Sequence, residues 1–242
     1  MSVESKYNAA AIDNINRIIS AAKAAGINND FTIAGILAVV SKETGFKLVP
    51  EVSYANNTAP YIRSIFPTAL AGLTDAQINT LKKNKVNFFN YVYKNFPGNT
   101  LPGDGYTYRG RGFNGITGRE GYRNATKDTG QDLIKNPDLL NNFDTAAKAL
   151  IGYYLRWYPL AVKSGKYNIG PSINSLPDLD TAYKVAFNIN RGRHKLPIQD
   201  PTNGFPRGLE NLPDLFDYVK KKRSYIIPRP GFWERINLPD IY

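Results

Sequence analysis

The sequence predicts a mainly α fold, on three observations. Apolar residues recur at three- and four-residue spacing through the first half and again over 143–155. Polar capping residues and glycines punctuate those runs at points suited to helix ends. Only the stretch 95–121 leaves the pattern, turning to glycine, aromatic residues and arginine. Taken in order, Ile12, Ile15, Ile19 and Ala22 mark a first helix closed by Gly26. Asn29 or Asp30 can cap a second, whose inner face is Ile33, Ile36, Leu37 and Val40 and which ends near Gly45. A third is expected from about Ser53 to Phe66, with Pro60 near its start and Pro67 stopping it. Thr74 opens a fourth, with Asp75 in the first turn. The stretch 95–121 reads as a loop or short hairpin, with a little β structure near Tyr106 to Tyr108. Phe143, Ala146, Ala147, Leu150, Ile151, Tyr154 and Leu155 restore helical spacing. In the last third, rich in proline and asparagine, one helix is expected around Leu212 to Tyr225. No internal repeat, low-complexity tract or interdomain linker is visible, so the 242 residues read as a single domain.

Composition narrows the chemistry. With no cysteine there can be no disulfide, thiolate nucleophile or zinc–thiolate site. A single histidine, His194, excludes a multi-histidine metal site and any mechanism needing two imidazoles. Catalysis, if present, must therefore rest on carboxylates, hydroxyls, lysine or arginine. The formal charge of +11 suits an anionic partner, whether nucleic acid, phosphate-rich wall or anionic membrane surface, or simply a lysine-rich solvated surface. The N-terminus lacks the basic start and apolar core of a signal peptide, and no apolar run reaches the ~20 residues of a membrane span. The expectation is synthesis in the cytoplasm without a signal peptide. Action outside the cell then requires another carrier.

Two glutamates stand eight positions apart, Glu43 and Glu51. Glu43 lies seven residues after Ile36, close to two helical turns, and so is expected to continue the apolar stripe in a partly desolvated place that favours the protonated acid. Glu51, beyond Gly45 and Pro50, falls in a more extended and open segment where a carboxylate stays ionised and can activate water. Two carboxylates in contrasting environments are the minimum equipment for glycoside hydrolysis. The plainer alternative is a helix-end acid and a loop acid with no joint role. Gly110, Gly112 and Gly115 match G-x-G-x-x-G, but Tyr-Thr-Tyr-Arg precedes them and Arg111 sits inside, so the nucleotide reading is rejected. A tight turn presenting tyrosine faces and arginine forks to a polar ligand fits better.

Glu43-Thr44-Gly45-Phe46, then Glu51 with Tyr54, then Tyr108-Arg109-Gly110-Arg111-Gly112, Thr117-Gly118-Arg119 and Tyr122, and finally Ile189-Asn190-Arg191-Gly192, together resemble the family 19 chitinases, most of all their bacterial and phage lysis enzymes. The matched blocks run in family order from about Thr32 to Gly192. The resemblance implies a lysozyme-like, two-lobed α+β domain with a small β hairpin lining its cleft, a core over 32–192 and an extension over 193–242 packed on it. It further implies Glu43 as general acid, Glu51 as base and Thr117 as the hydroxyl that holds water, with neither a metal nor an organic cofactor needed. Substrate contacts are expected from Tyr54, Tyr108, Arg109, Arg111, Asn114 and Asn190. Where the family usually has Ile-Gln this chain has Asn114-Gly115, which displaces or removes one substrate-contacting amide.

The implied substrate is the β-1,4 glycan of bacterial peptidoglycan, cut with inversion by a monomeric endolysin or virion-associated lysin, with no nucleic acid and no transmembrane segment involved. Absence of cysteine argues against a disulfide-stapled secreted chitinase. Rival readings are a lytic transglycosylase using Glu43 alone, a non-catalytic wall-binding or virion module, and a nucleic-acid binder suggested only by charge. The Lys220-Lys221-Lys222-Arg223 run reads as a solvated helix face, Trp157 and Tyr158 as core, Trp233 as packing for the tail, and His194 as a cleft-rim residue.

Overall fold

The computed structural model describes residues 2–48, 50–165, 167–190 and 211–222. Eleven α-helices run through them: α1 Val3–Lys6, α2 Ala9–Ala24, α3 Asp30–Thr44, α4 Ala59–Ile65, α5 Asp75–Leu81, α6 Lys85–Val92, α7 Asp104–Thr107, α8 Arg119–Thr129, α9 Phe143–Lys163, α10 Leu179–Asn190 and α11 Leu212–Lys222. Short 3₁₀ turns cover Pro137–Asn141 and Ile173–Ser175. The mainly helical expectation holds. The helices begin where side chains can take up orphan backbone donors: Asn8 for α2, Asn29 for α3, Asn84 for α6 and Asn142 for α9 each accept a first-turn N–H. Thr74 and Gln77 form a reciprocal capping box on α5.

Helix α3 is the central strut. Every residue from Thr32 to Val40 is buried, on all sides of the helix, because α10 and α11 both pack against it. Gly35 permits the closest of these approaches: a Cβ there would stand 2.7 Å from the Ala182 carbonyl oxygen of α10. Helix α9 lies against both α2 and α8. Tyr158 on α9 is buried and donates to the carbonyls of Gly170 and Ser172, while Trp157 packs partly buried on the same core.

The apolar interior is divided. One core joins α2, α3, α9, α10 and α11. A second, around Ile62, Leu70, Ile78, Phe88, Phe89 and Tyr93, is built from α4, α5 and α6. A third gathers Tyr108, Ile116, Tyr122, Leu133 and Leu140 around α8.

Two expectations need correction. The third helix starts at Ala59 rather than near Ser53, because the Thr58 hydroxyl caps it and Pro60, lacking an N–H, fits only its first turn. The hairpin is not found: residues 104–107 form the helical turn α7, and the only pairing nearby is a single antiparallel bridge between Arg111 and Ile116. Asp104 shapes the helical turn α7. Its buried carboxylate accepts the N–H groups of Thr100 and Leu101 and pairs with Arg119, which curls the chain into a helix entry. The Arg119 guanidinium, then those N–H groups, hold this carboxyl below its ordinary pKa, against the opposing effect of burial.

Candidate active site

Helix α3 ends one residue beyond Glu43, and the chain reverses through Gly45 at φ 59° and Phe46 at φ 61°. Gly45 takes the left-handed conformation freely, but Phe46 does so at a cost of about 1–2 kcal/mol. Phe46 is held there by near-complete burial, an edge contact with the Tyr7 ring at 5.1 Å, and Asn14, whose Nδ2 donates to its carbonyl at 2.8 Å. Glu43 itself is exposed, which corrects the desolvated environment expected from its spacing. The buried part of α3 stops at Val40, so the last turn emerges from the core. Beneath it, Tyr154 is fully buried and feels the Glu43 charge; burial first, then neighbouring Tyr153, then Glu43 push its phenol well above the ordinary value. Among the described residues the Tyr154 hydroxyl has no hydrogen-bond partner.

Glu51 is half-buried and tied at every polar atom. Its N–H donates to the Gly110 carbonyl at 3.0 Å, and its own carbonyl accepts from Arg109 Nε at 3.0 Å. The carboxylate accepts from the Tyr54 hydroxyl at 2.9 Å on Oε1 and from the Gly110 N–H at 3.2 Å on Oε2. The Tyr93 hydroxyl lies 3.0 Å from Oε1 and 2.9 Å from Oε2. Burial, followed by the Glu51 charge, pushes both phenols far above their ordinary pKa, so they remain donors wherever the protein is folded. Three donors thus make four contacts with the carboxylate, two on each oxygen, which fixes its orientation.

Thr117 lies beside this group. Gly110 separates the two: a Cβ on it would meet Glu51 Oε2 at 3.3 Å and Thr117 Oγ1 at 3.5 Å. The glycine therefore keeps open a small space bordered by a carboxylate oxygen and a hydroxyl. Thr117 Oγ1 donates to the Gly115 carbonyl at 2.8 Å and keeps its lone pairs for another donor.

The other expected substrate contacts divide. Tyr54 joins the site through Glu51, and Arg109 does so by holding the Glu51 backbone, with its guanidinium over the Tyr106 ring at 4.3 Å. Tyr108 faces the third core instead, is buried, and donates its hydroxyl to the Ile134 carbonyl at 3.0 Å. Arg111 is also interior. It is 2% exposed, and its guanidinium pairs with Asp138 and donates to the Thr107 carbonyl at 2.8 Å and the Tyr122 hydroxyl at 2.7 Å. Most of its donors are thus spent inside the protein. Asn114 and Asn190 each carry a buried side-chain oxygen without a partner among the described residues. His194, Trp233 and the Arg191-Gly192 part of the last block lie outside the described residues.

Arg111→Ala is accordingly expected to act on stability. Removing a buried cation that satisfies backbone carbonyls and a phenol should cost about 2–4 kcal/mol. Arg111→Lys should recover only part of this, since an ammonium cannot reproduce the fork. Thermal melts beside specific activity per folded molecule check it: a normal melting temperature with a raised KM would return Arg111 to the cleft.

Among the described residues no helix is long and apolar enough to cross a membrane, and no group of three metal-binding side chains converges. No family model matches the sequence. The chain is similar to a glycosyl hydrolase family 19 domain-containing protein of Haemophilus influenzae, 29% identical over 169 residues, covering 68% of this chain and 81% of that protein.

Proposed function

We propose that the chain is a glycoside hydrolase of the family 19 kind, with a lysozyme-like arrangement, that cuts the β-1,4 glycan backbone of bacterial peptidoglycan. The observation that carries this is the Glu51 carboxylate, oriented by two phenols and a backbone N–H beside the Thr117 hydroxyl. The similarity to the family 19 domain-containing protein supports the same class.

The exposed Glu43 protonates the glycosidic oxygen as the bond to the anomeric carbon breaks. A water held between Glu51 and the Thr117 hydroxyl attacks that carbon from the opposite face and gives its proton to Glu51. One displacement with no covalent intermediate inverts the configuration. The +11 charge suits an enzyme working along an anionic wall, as an endolysin or a lysin carried in a phage particle.

A second reading is favoured by the same contacts. If the donors around Glu51 only brace the fold, Glu43 acts alone and the muramic acid hydroxyl takes the place of water, as in a lytic transglycosylase. Mass spectrometry of fragments released from purified peptidoglycan separates the two. The expected products carry free reducing ends, heavier by one water than the anhydro ends of a transglycosylase. Exclusively anhydro ends would overturn hydrolysis, and no release of fragments would overturn both.

A further inference from the structure

We infer that the Tyr93 hydroxyl is a positioning group for Glu51, spanning both carboxylate oxygens and fixing the rotation of the carboxylate beside the Thr117 hydroxyl. This rests on the reading of Glu51 as the base.

The three donors are not equivalent. Tyr54 reaches only Oε1 and the Gly110 N–H only Oε2, whereas Tyr93 stands within hydrogen-bond distance of both. A carboxylate held at one oxygen can swing about its Cγ–Cδ bond. A donor in the fork between the oxygens opposes that swing in either direction.

The ring is placed by contacts that do not involve the hydroxyl. Tyr93 caps the C-terminus of α6, its N–H donating to the Phe89 carbonyl. Its ring lies parallel to Phe89 at 6.0 Å and meets the edges of Phe66 at 5.8 Å and Phe96 at 4.9 Å. A phenylalanine would make the same contacts, which leaves Glu51 as the partner that accounts for the oxygen.

The same frame also sets the water-holding side. The Tyr93 carbonyl accepts from Asn99 Nδ2 at 2.8 Å, and Asn99 Oδ1 accepts the Arg119 N–H at 2.7 Å, two residues past Thr117. One amide side chain thus links the residue that orients the base to the turn that carries the hydroxyl.

The test is a double-mutant cycle on soluble glycan fragments, with kcat, KM and melting temperature measured for wild type, Tyr93→Phe, Glu51→Ala and the double variant. Tyr93→Phe should lower kcat about tenfold, with KM and melting temperature nearly unchanged, since a small misorientation of a catalytic group costs rate rather than binding. The double variant should be no slower than Glu51→Ala, because the hydroxyl acts only through that carboxylate. Replacing the phenol with p-aminophenylalanine, which returns a donor at the same place, should restore much of the loss. A Tyr93→Phe enzyme with wild-type kcat, beside an impaired Glu51→Ala, would sink the inference and leave the base reading standing. So would a multiplied loss in the double variant, or a collapsed melting temperature that the amino analogue restores without restoring specific activity. A fully active Glu51→Ala would remove the base reading itself, and this inference with it.

Discussion

Glu43→Gln is expected to abolish cleavage of bacterial cell walls, by at least about a hundredfold, and to leave the melting temperature unchanged. The structural half follows from exposure: Glu43 sits in the emergent last turn of α3, beyond the buried run that ends at Val40. An amide of nearly the same shape disturbs no packing there. The chemical half follows from the proton. A carboxamide cannot donate one to a departing glycosidic oxygen, and general acid catalysis is typically worth about two to four orders of magnitude. Wall-clearing assays on purified variant, normalised to folded protein, measure both. A variant that clears walls at a rate comparable to the wild type would take Glu43 out of the chemistry.

Glu51→Ala should be impaired by about a hundredfold as well, and in a way that reveals stereochemistry. An inverting site holds its carboxyl groups about 6.5–9.5 Å apart, leaving room for water on the far face of the sugar. Truncation at position 51 enlarges the space already kept open beside Gly110, and azide can enter it as a small anionic nucleophile. The vacated phenols and backbone N–H supply donors for the anion. The rescued product should be the α-glycosyl azide, inverted from the β-linked substrate. NMR of fresh product settles the anomer: a β product released first, or an unimpaired variant, would take Glu51 out of the mechanism. Some loss of stability should accompany the change, because three donors lose their acceptor.

The parts legible in sequence were those set by local rules. The caps at Asn29 and Thr74, the buried face of α3 and the stop at Gly45 all follow from spacing and side-chain chemistry within one or two turns. Tyr54 came from the family resemblance, as a substrate contact, and the structure instead gives its hydroxyl to Glu51, three residues away. Tyr93 was not legible. It stands 42 residues from Glu51, and although Phe89, Val92 and Tyr93 form a readable apolar stripe, nothing in that stripe shows where the hydroxyl points. Arg111 misleads for a related reason. An arginine between glycines reads as presented to solvent, yet the turn folds inward and its charge is met by Asp138, which lies 27 residues away. Helix α7 shows the same limit, since the Asp104–Arg119 pair that shapes its entry joins residues 15 apart. Glu43 was located correctly on its helix, but its exposure depends on where neighbouring helices stop covering it.

On the proposed function, the division of the interior into separate cores bears on what a bound polymer would do for the protein. Glu43 rides on the helix at the centre of the first core, the donors to Glu51 come largely from the second, and Thr117 follows Ile116 of the third. If Glu43 and Glu51 are acid and base as proposed, the gap between them is therefore not a property of any one helix. It is set where separately packed cores meet. On the proposed reading, a glycan strand lying across that gap touches side chains carried by all three cores at once and acts as a tie-rod between them.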